Sequence, residues 1–148
     1  TPVDTEGYKL WITFPDLPRV GLEVDSWQVA RPTTDTLFSR APAGLAALVN
    51  LASGTSVLRK REVVLGQQAT QEMLLRISAD GKRAYHFQLE AVGMANSATQ
   101  TRLIFEMSTT NIRDEHGHVG DAAFQSDEEA VAFWDAILQS FRVRPGAV

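Results

Sequence analysis

The 148-residue chain has no cysteine. Disulfides, thiolate nucleophiles and cysteine-ligated metals are therefore excluded, and cysteine usage leaves the redox compartment open. Long apolar runs are also missing: no stretch approaches the ~20 residues that a membrane-spanning helix needs. There is no excess of positive charge. The formal net charge is −4, which argues against nucleic acid as a partner, since that needs a basic face. The Gly-x-Ser-x-Gly elbow, the Walker loop, Gly-x-Gly-x-x-Gly and His-Glu-x-x-His are all absent. Ser53-Gly54-Thr55-Ser56 is a small-residue turn with no strand leading tightly into it, so it makes a poor phosphate cradle. No internal repeat or low-complexity linker is visible. The first residue, Thr1, follows neither a methionine nor a signal peptide, as expected of an excised domain or a processed secreted protein.

What is present is an ordinary globular composition, 44% apolar and 22% charged. The length suits one domain, 1–148, with a core of its own. The strongest local signal lies at the end of the chain. Ser126 is a good N-cap and Glu129 completes a capping box. Asp127, Glu128 and Glu129 place negative charge at the positive end of the helix dipole. Ala130, Val131, Phe133, Trp134, Ile137, Leu138 and Phe141 then recur at helical spacing. Arg142 and Arg144 suit the other end, and Pro145-Gly146 are the expected stop.

Strand periodicity appears upstream. Tyr8, Leu10, Ile12 and Phe14 alternate with Lys9, Trp11 and Thr13, and Val20, Leu22 and Val24 alternate with Glu23 and Asp25. Pro15 and Pro18 enclose a turn between these strands. Leu37 and Phe38 fit a short helical turn, and Ala43 to Ala52 fits a helix with Pro42 at its start and Gly54 after it. Val57 to Leu65 reads as a strand with a charged beginning, Arg59-Lys60-Arg61, expected to be a solvated strand end. Gln71 to Ala91 reads as a hairpin. A two-residue loop at Asp80-Gly81 would pair Leu75 with His86 and split the apolar residues between the two sheet faces. A three-residue loop would pair Leu75 with Tyr85 and Met73 with Phe87, so the burial argument favours the longer loop. Thr101 to Thr109 is a further strand, with Leu103, Phe105 and Met107 on one side. The expected fold is α+β: a two-layer sandwich in which helices pack on one face of an antiparallel sheet, closed by the long C-terminal helix.

Chemistry-bearing clusters are few. Asp114, Glu115, His116, His118 and Asp121 fall in one loop. A His-x-His pair without a rigid flank lacks the fixed geometry of a metal centre, so the loop reads as solvated, with no metal and no cofactor expected. His86 sits on the polar side of a strand. Asp127 to Glu129 serve the helix N-terminus rather than acid–base catalysis, and no catalytic residue is identified. Trp11 shares its face with Lys9 and Thr13. Burial under a loop is the default for a tryptophan, but an exposed one would be an interface anchor. The residues thus point to a binding role.

Leu58-Arg59-Lys60-Arg61-Glu62 with Gly66, Tyr85-His86-Phe87, Phe105-Glu106-Met107, Glu128-Glu129-Ala130, Trp134-Asp135-Ala136-Ile137-Leu138 and Ser140 through Ala147 resemble a known family over Leu58 to the end. It is the C-terminal domain of the immunity proteins that neutralise type VI secretion phospholipase effectors, the fourth Tle-cognate immunity family. The resemblance implies a periplasmic protein that binds a cognate lipase toxin and blocks its active site or lid motion, with no catalytic residues of its own. It also implies a second domain before this one. Because toxin contacts usually sit on variable loops over a fixed scaffold, the candidate contacts are Asp80 at the hairpin tip, the loop residues Arg113, Asp114, Glu115, His116, His118 and Asp121, and Trp11. The layout also resembles Mog1/PsbP-like domains, some of which act as effector chaperones; that alternative requires an exposed apolar groove.

Overall fold

The computed structural model describes residues 7–40, 54–79, 81–109, 116 and 122–142. Six strands form one antiparallel sheet: β1 (Gly7–Phe14), β2 (Leu17–Trp27), β3 (Thr55–Leu65), β4 (Gln68–Ala79), β5 (Lys82–Ala91) and β6 (Arg102–Thr109). Their order is β1-β2-β6-β5-β4-β3, so β6 inserts between the two hairpins. The helix α1 (Asp127–Ser140) lies across one face. The fold is α+β, as expected, and all six strands overlap stretches read as strands in the sequence.

The core is the layer between α1 and the sheet. Val20, Leu22 and Val24 of β2, Phe105 and Met107 of β6, and Tyr85, Phe87 and Leu89 of β5 are all buried against it. The register sets these residues side by side, with Leu22 opposite Met107 and Met107 opposite Phe87. Trp134 has no exposed surface, and its ring meets Phe87 at 5.9 Å and Phe105 at 5.3 Å between centroids. Full burial of such a side chain is worth ~2–3 kcal/mol. Ser126 caps α1 by accepting the Glu129 N–H at 3.1 Å. Glu129 reaches back to the N–H of Gln125, not that of Ser126. The helix stops at Ser140, ahead of the expected Pro145-Gly146, because Phe141 turns extended; Arg142 donates to the carbonyls of Gln139 and Phe141 there.

Two expectations are corrected. The β4–β5 hairpin uses the two-residue connection: Leu75 faces His86 and Leu74 faces Phe87, with Gly81 at φ +72°. The burial argument for the longer loop assumed one apolar face. In fact Leu74 goes to the α1 side, while Met73 and Leu75 form a second small core with Leu37 and Phe38 on the other side. Helical structure is consequently not confined to one face, since the turn at residues 37–40 packs opposite α1. The apolar row of β1, Tyr8, Leu10 and Ile12, lies on the α1 side of the sheet. They stay 56%, 50% and 38% exposed; of that row, only Phe14 joins the core, edge-on to Phe133. The helix expected over Ala43 to Ala52 lies outside the described residues.

Candidate functional site

The Arg59-Lys60-Arg61 run does not behave as a solvated strand end. A register shift between Val57 and Arg59 sets Arg59 opposite Leu74 and Arg61 opposite Glu72, turning both guanidinium groups toward α1. Glu72 is fully buried. Its carboxylate accepts from Arg59 Nε at 2.7 Å, Arg61 Nε at 2.9 Å and the Trp134 indole N–H at 2.9 Å. Arg59 also reaches the helix, donating to both Asp135 oxygens at 2.5 and 3.2 Å. Burial pushes the Glu72 carboxyl up, but the bonds from Arg59, Trp134 and Arg61 outweigh it and hold its pKa below 4.5. The Arg59 hydrogen bond holds Asp135 below 3.8 despite partial burial. A carboxylate satisfied this fully is a fixed cross-brace between sheet and helix, not an acid–base group. The start of α1 is tied in the same way. Asp127 accepts from Tyr85 Oη at 2.8 Å and from Arg76 at 2.6 Å. Burial, then the Asp127 hydrogen bond, push the Tyr85 phenol up to about 12.

The opposite face is divided. Over β4, β5 and β6, residues 35–40 are tied down. Phe38 N–H donates to Gln71, Lys60 lies over the Phe38 ring, Arg102 donates to the Asp35 carbonyl, and Arg40 and Arg102 flank the buried Glu90. Toward β1 that face is open. Trp11 is 69% exposed, the most exposed aromatic among the described residues, so the default of burial under a loop is overturned. Its neighbour Lys9 lies 5.5 Å over the ring and pairs with Glu23 at 2.6 Å and Asp25 at 3.7 Å. The Glu23 hydrogen bond holds the Lys9 ammonium above 10.5, and burial raises the Asp25 carboxyl above 3.8. Glu23 stands directly opposite Glu106, a like-charge cross-strand pair that costs stability. His86 approaches Glu106 at 3.8 Å. Trp11 therefore sits at the margin of a polar, acidic sheet face.

Of the loop candidates, Asp80, Arg113, Asp114, Glu115, His118 and Asp121 lie outside the described residues, and His116 is exposed. Their flanks do come together. Gly81, Lys82 and Arg83 of the hairpin and Ala122, Phe124 and Gln125 before α1 line one open cleft of about 310 Å³. A second cleft of about 260 Å³ runs from Ala122 and Ala123 to the β1–β2 turn at Asp16 to Arg19. The hairpin tip and the segment leading into α1 thus share one end of the sheet. Trp11 stands apart, in mid-strand. Lys82, Arg83 and Arg19 also stand at that end; turn-flanking charges carry no periodic signal that would single them out. Among the described residues no three metal-ligating side chains converge, and no helix is long and apolar enough to cross a membrane.

Comparison with known proteins places this architecture. The family model described as the Tle cognate immunity protein 4 C-terminal domain matches residues 1–146. The match therefore includes the first fifty residues as well as the region from Leu58 onward. A chain of the Tle4-Tli4 complex superposes with a TM-score of 0.83 at 30% identity, over 95% of this chain and 46% of that one. The type VI secretion immunity protein TplEi from Pseudomonas aeruginosa, complexed with "L" peptide, gives 0.81 at 28% identity, over 95% of this chain and 49% of that one. The apo structure of TplEi gives 0.80 at 28% identity, over 95% and 45%. The chain spans about half the length of these relatives. No curated protein matches it. With nearly the whole sequence covered by one family model, the chain belongs to the family of Tle cognate immunity protein 4 C-terminal domains.

Proposed function

We propose that the chain is the C-terminal domain of a longer periplasmic immunity protein, which neutralises a cognate type VI secretion phospholipase by binding it rather than by catalysis. The observation that carries this reading is the family match over residues 1–146, together with 30% identity to a chain of the Tle4-Tli4 complex. The geometry supports it. Glu72, Arg59, Arg61, Trp134 and Asp135 make a rigid brace, which leaves the open end and the β1 margin as the surfaces for recognition.

On this reading the toxin is met by the hairpin tip at Asp80 and by the loop carrying Arg113, Asp114, Glu115, His116, His118 and Asp121. Trp11 is a separate anchor on the acidic face, whose Glu23, Asp25 and Glu106 steer it toward a basic toxin surface. The test is co-purification of the full-length immunity protein with the lipase-like protein encoded beside it, and inhibition of that lipase. A stoichiometric complex with suppressed lipase activity is expected. Failure of the intact protein to bind or inhibit any adjacent lipase overturns the proposal. Trp11→Ala is expected to weaken the complex ~10-fold or more, the scale of an aromatic hot spot, with no change in melting temperature.

A further inference from the structure

The strand β1 has two different faces, and the polar one does not explain the other. On the α1 side, Tyr8, Leu10 and Ile12 pair with Ser26, Val24 and Leu22 of β2, all of which are buried. The apolar layer of the core therefore runs across β2 onto β1 and emerges there uncovered. The cover of α1 reaches as far as Phe14, where Phe133 meets it. The other edge strand, β3, is finished differently. Its Arg59 and Arg61 are tied to Glu72 and Asp135, and Val63 and Leu65 pack against the core. Three large adjacent apolar side chains exposed on an edge strand make a surface that a protein covers.

We infer that this face of β1, the row Tyr8, Leu10 and Ile12, seats the preceding half of the full-length immunity protein. The inference rests on the reading of the chain as the C-terminal domain of a longer protein. Two observations favour this occupant over the toxin. The matched region is a C-terminal domain and fills only 45–49% of each relative, so in those relatives comparable length lies outside it. The row itself is apolar and continuous with the core, the character of a permanent interface. The Trp11 face, ringed by ion pairs, has the character of a dissociable one. A preceding half joined through the start of β1 would also be held close to this row, at the high effective concentration of a short tether.

The experiment is hydrogen exchange on the full-length immunity protein, alone and with the cognate lipase, following the peptide over residues 7–14. The expected result is that β1 is already protected in the free full-length protein, and that adding lipase changes it little. Leu10→Lys, in the full-length protein, is expected to raise β1 exchange at least 10-fold and to deprotect a peptide in the preceding half. Residues 127–140 should keep their protection, which shows that the domain remains folded. Rapid β1 exchange in the free wild-type protein overturns the inference. So does protection that appears only when lipase is added, because the row then belongs to the toxin. Because the β1–β2 ladder by itself protects part of β1, hydroxyl-radical labelling of Tyr8, Leu10 and Ile12 in the free full-length wild-type protein decides even if the variant does not fold: weak labelling is expected, and strong labelling overturns the inference. Failure of the immunity reading shows separately, as absence of lipase binding with β1 protection unaffected.

Discussion

The indole N–H of Trp134 donates to the Glu72 carboxylate at 2.9 Å, joining the middle of α1 to the middle of β4 with neither residue exposed to solvent. A hydrogen bond to a charged acceptor contributes ~1.5–3 kcal/mol, and the lost ring volume adds to the cost of removing it. Trp134→Phe is therefore expected to lower stability by ~3 kcal/mol, roughly 6–12 °C in a domain this size. Combining Trp134→Phe with Glu72→Gln in a double-mutant cycle should show a coupling of ~1–2 kcal/mol by urea denaturation. Strict additivity would mean the bond contributes nothing beyond packing.

The same carboxylate sets an acid sensitivity. Glu72 and Asp135 both titrate lower in the folded protein than their ordinary values of 4.5 and 3.8, so the unfolded chain takes up protons first as pH falls. Their stabilisation is complete above about pH 5 and is lost as pH drops through 4.5 toward the depressed folded values. Glu72→Gln is less stable than wild type at pH 7, because Arg59 and Arg61 then face a neutral group. It also loses part of the acid dependence. The gap between the two unfolding free energies should stay constant above about pH 5 and narrow below it toward pH 3, measured by denaturant titration. Parallel curves would refute the assignment.

Arg59 and Arg61 flank one carboxylate but are not equivalent. Arg59 makes paired contacts to Glu72 and to Asp135 and is mostly buried, whereas Arg61 is more exposed and makes the weaker pair at 2.9 and 3.4 Å. A lysine ammonium cannot reproduce the planar fork. Arg59→Lys is expected to cost ~2 kcal/mol and Arg61→Lys less than ~1 kcal/mol. The midpoints of urea unfolding report this order directly, and the reverse order would place the brace on Arg61.

How much of this was legible from the residues depends on which force fixed each feature. Alternation in Tyr85, Phe87 and Leu89 and in Leu103, Phe105 and Met107 marked the core strands, because burial on one face writes itself into every second residue. The α1 cap and its apolar stripe were legible for the same local reason. The hairpin register was not. Met73 and Leu75 answer to Leu37 and Phe38, more than thirty residues away, and a local burial argument cannot see a second core. The exposure of Tyr8, Leu10 and Ile12 was not legible, because alternation reports that a face is apolar, not whether this chain covers it. The Arg59–Glu72–Asp135 brace depended on a register shift in β3 and on the placement of α1, neither of which has a sequence signature. Among the candidate contacts, Trp11 lies on the edge strand β1, while the loop candidates had only their position between elements to recommend them.

Two glycines with nearly the same backbone angle separate conformational cost from crowding. Gly81 at φ +72° closes the β4–β5 turn, and a Cβ there would meet nothing within 4 Å. Gly93 at φ +76° lies where the chain folds back to β6, and a Cβ there would fall 2.5 Å from the Arg102 nitrogen and 2.8 Å from the Thr101 carbonyl carbon. Asparagine tolerates the left-handed region, so Gly81→Asn is expected to cost less than ~1 kcal/mol. Gly93→Asn has the same backbone preference but must push backbone against backbone, and should cost ~3 kcal/mol or more. It would also shift the start of β6, and with it Arg102, whose side chain holds the Asp35 carbonyl and flanks Glu90. Increased hydrogen exchange around residues 35–40 in Gly93→Asn, and not in Gly81→Asn, is the expected mark of that displacement. Equal destabilisation of the two variants would show that backbone angle alone, and not the close approach at Arg102, accounts for the glycine at 93.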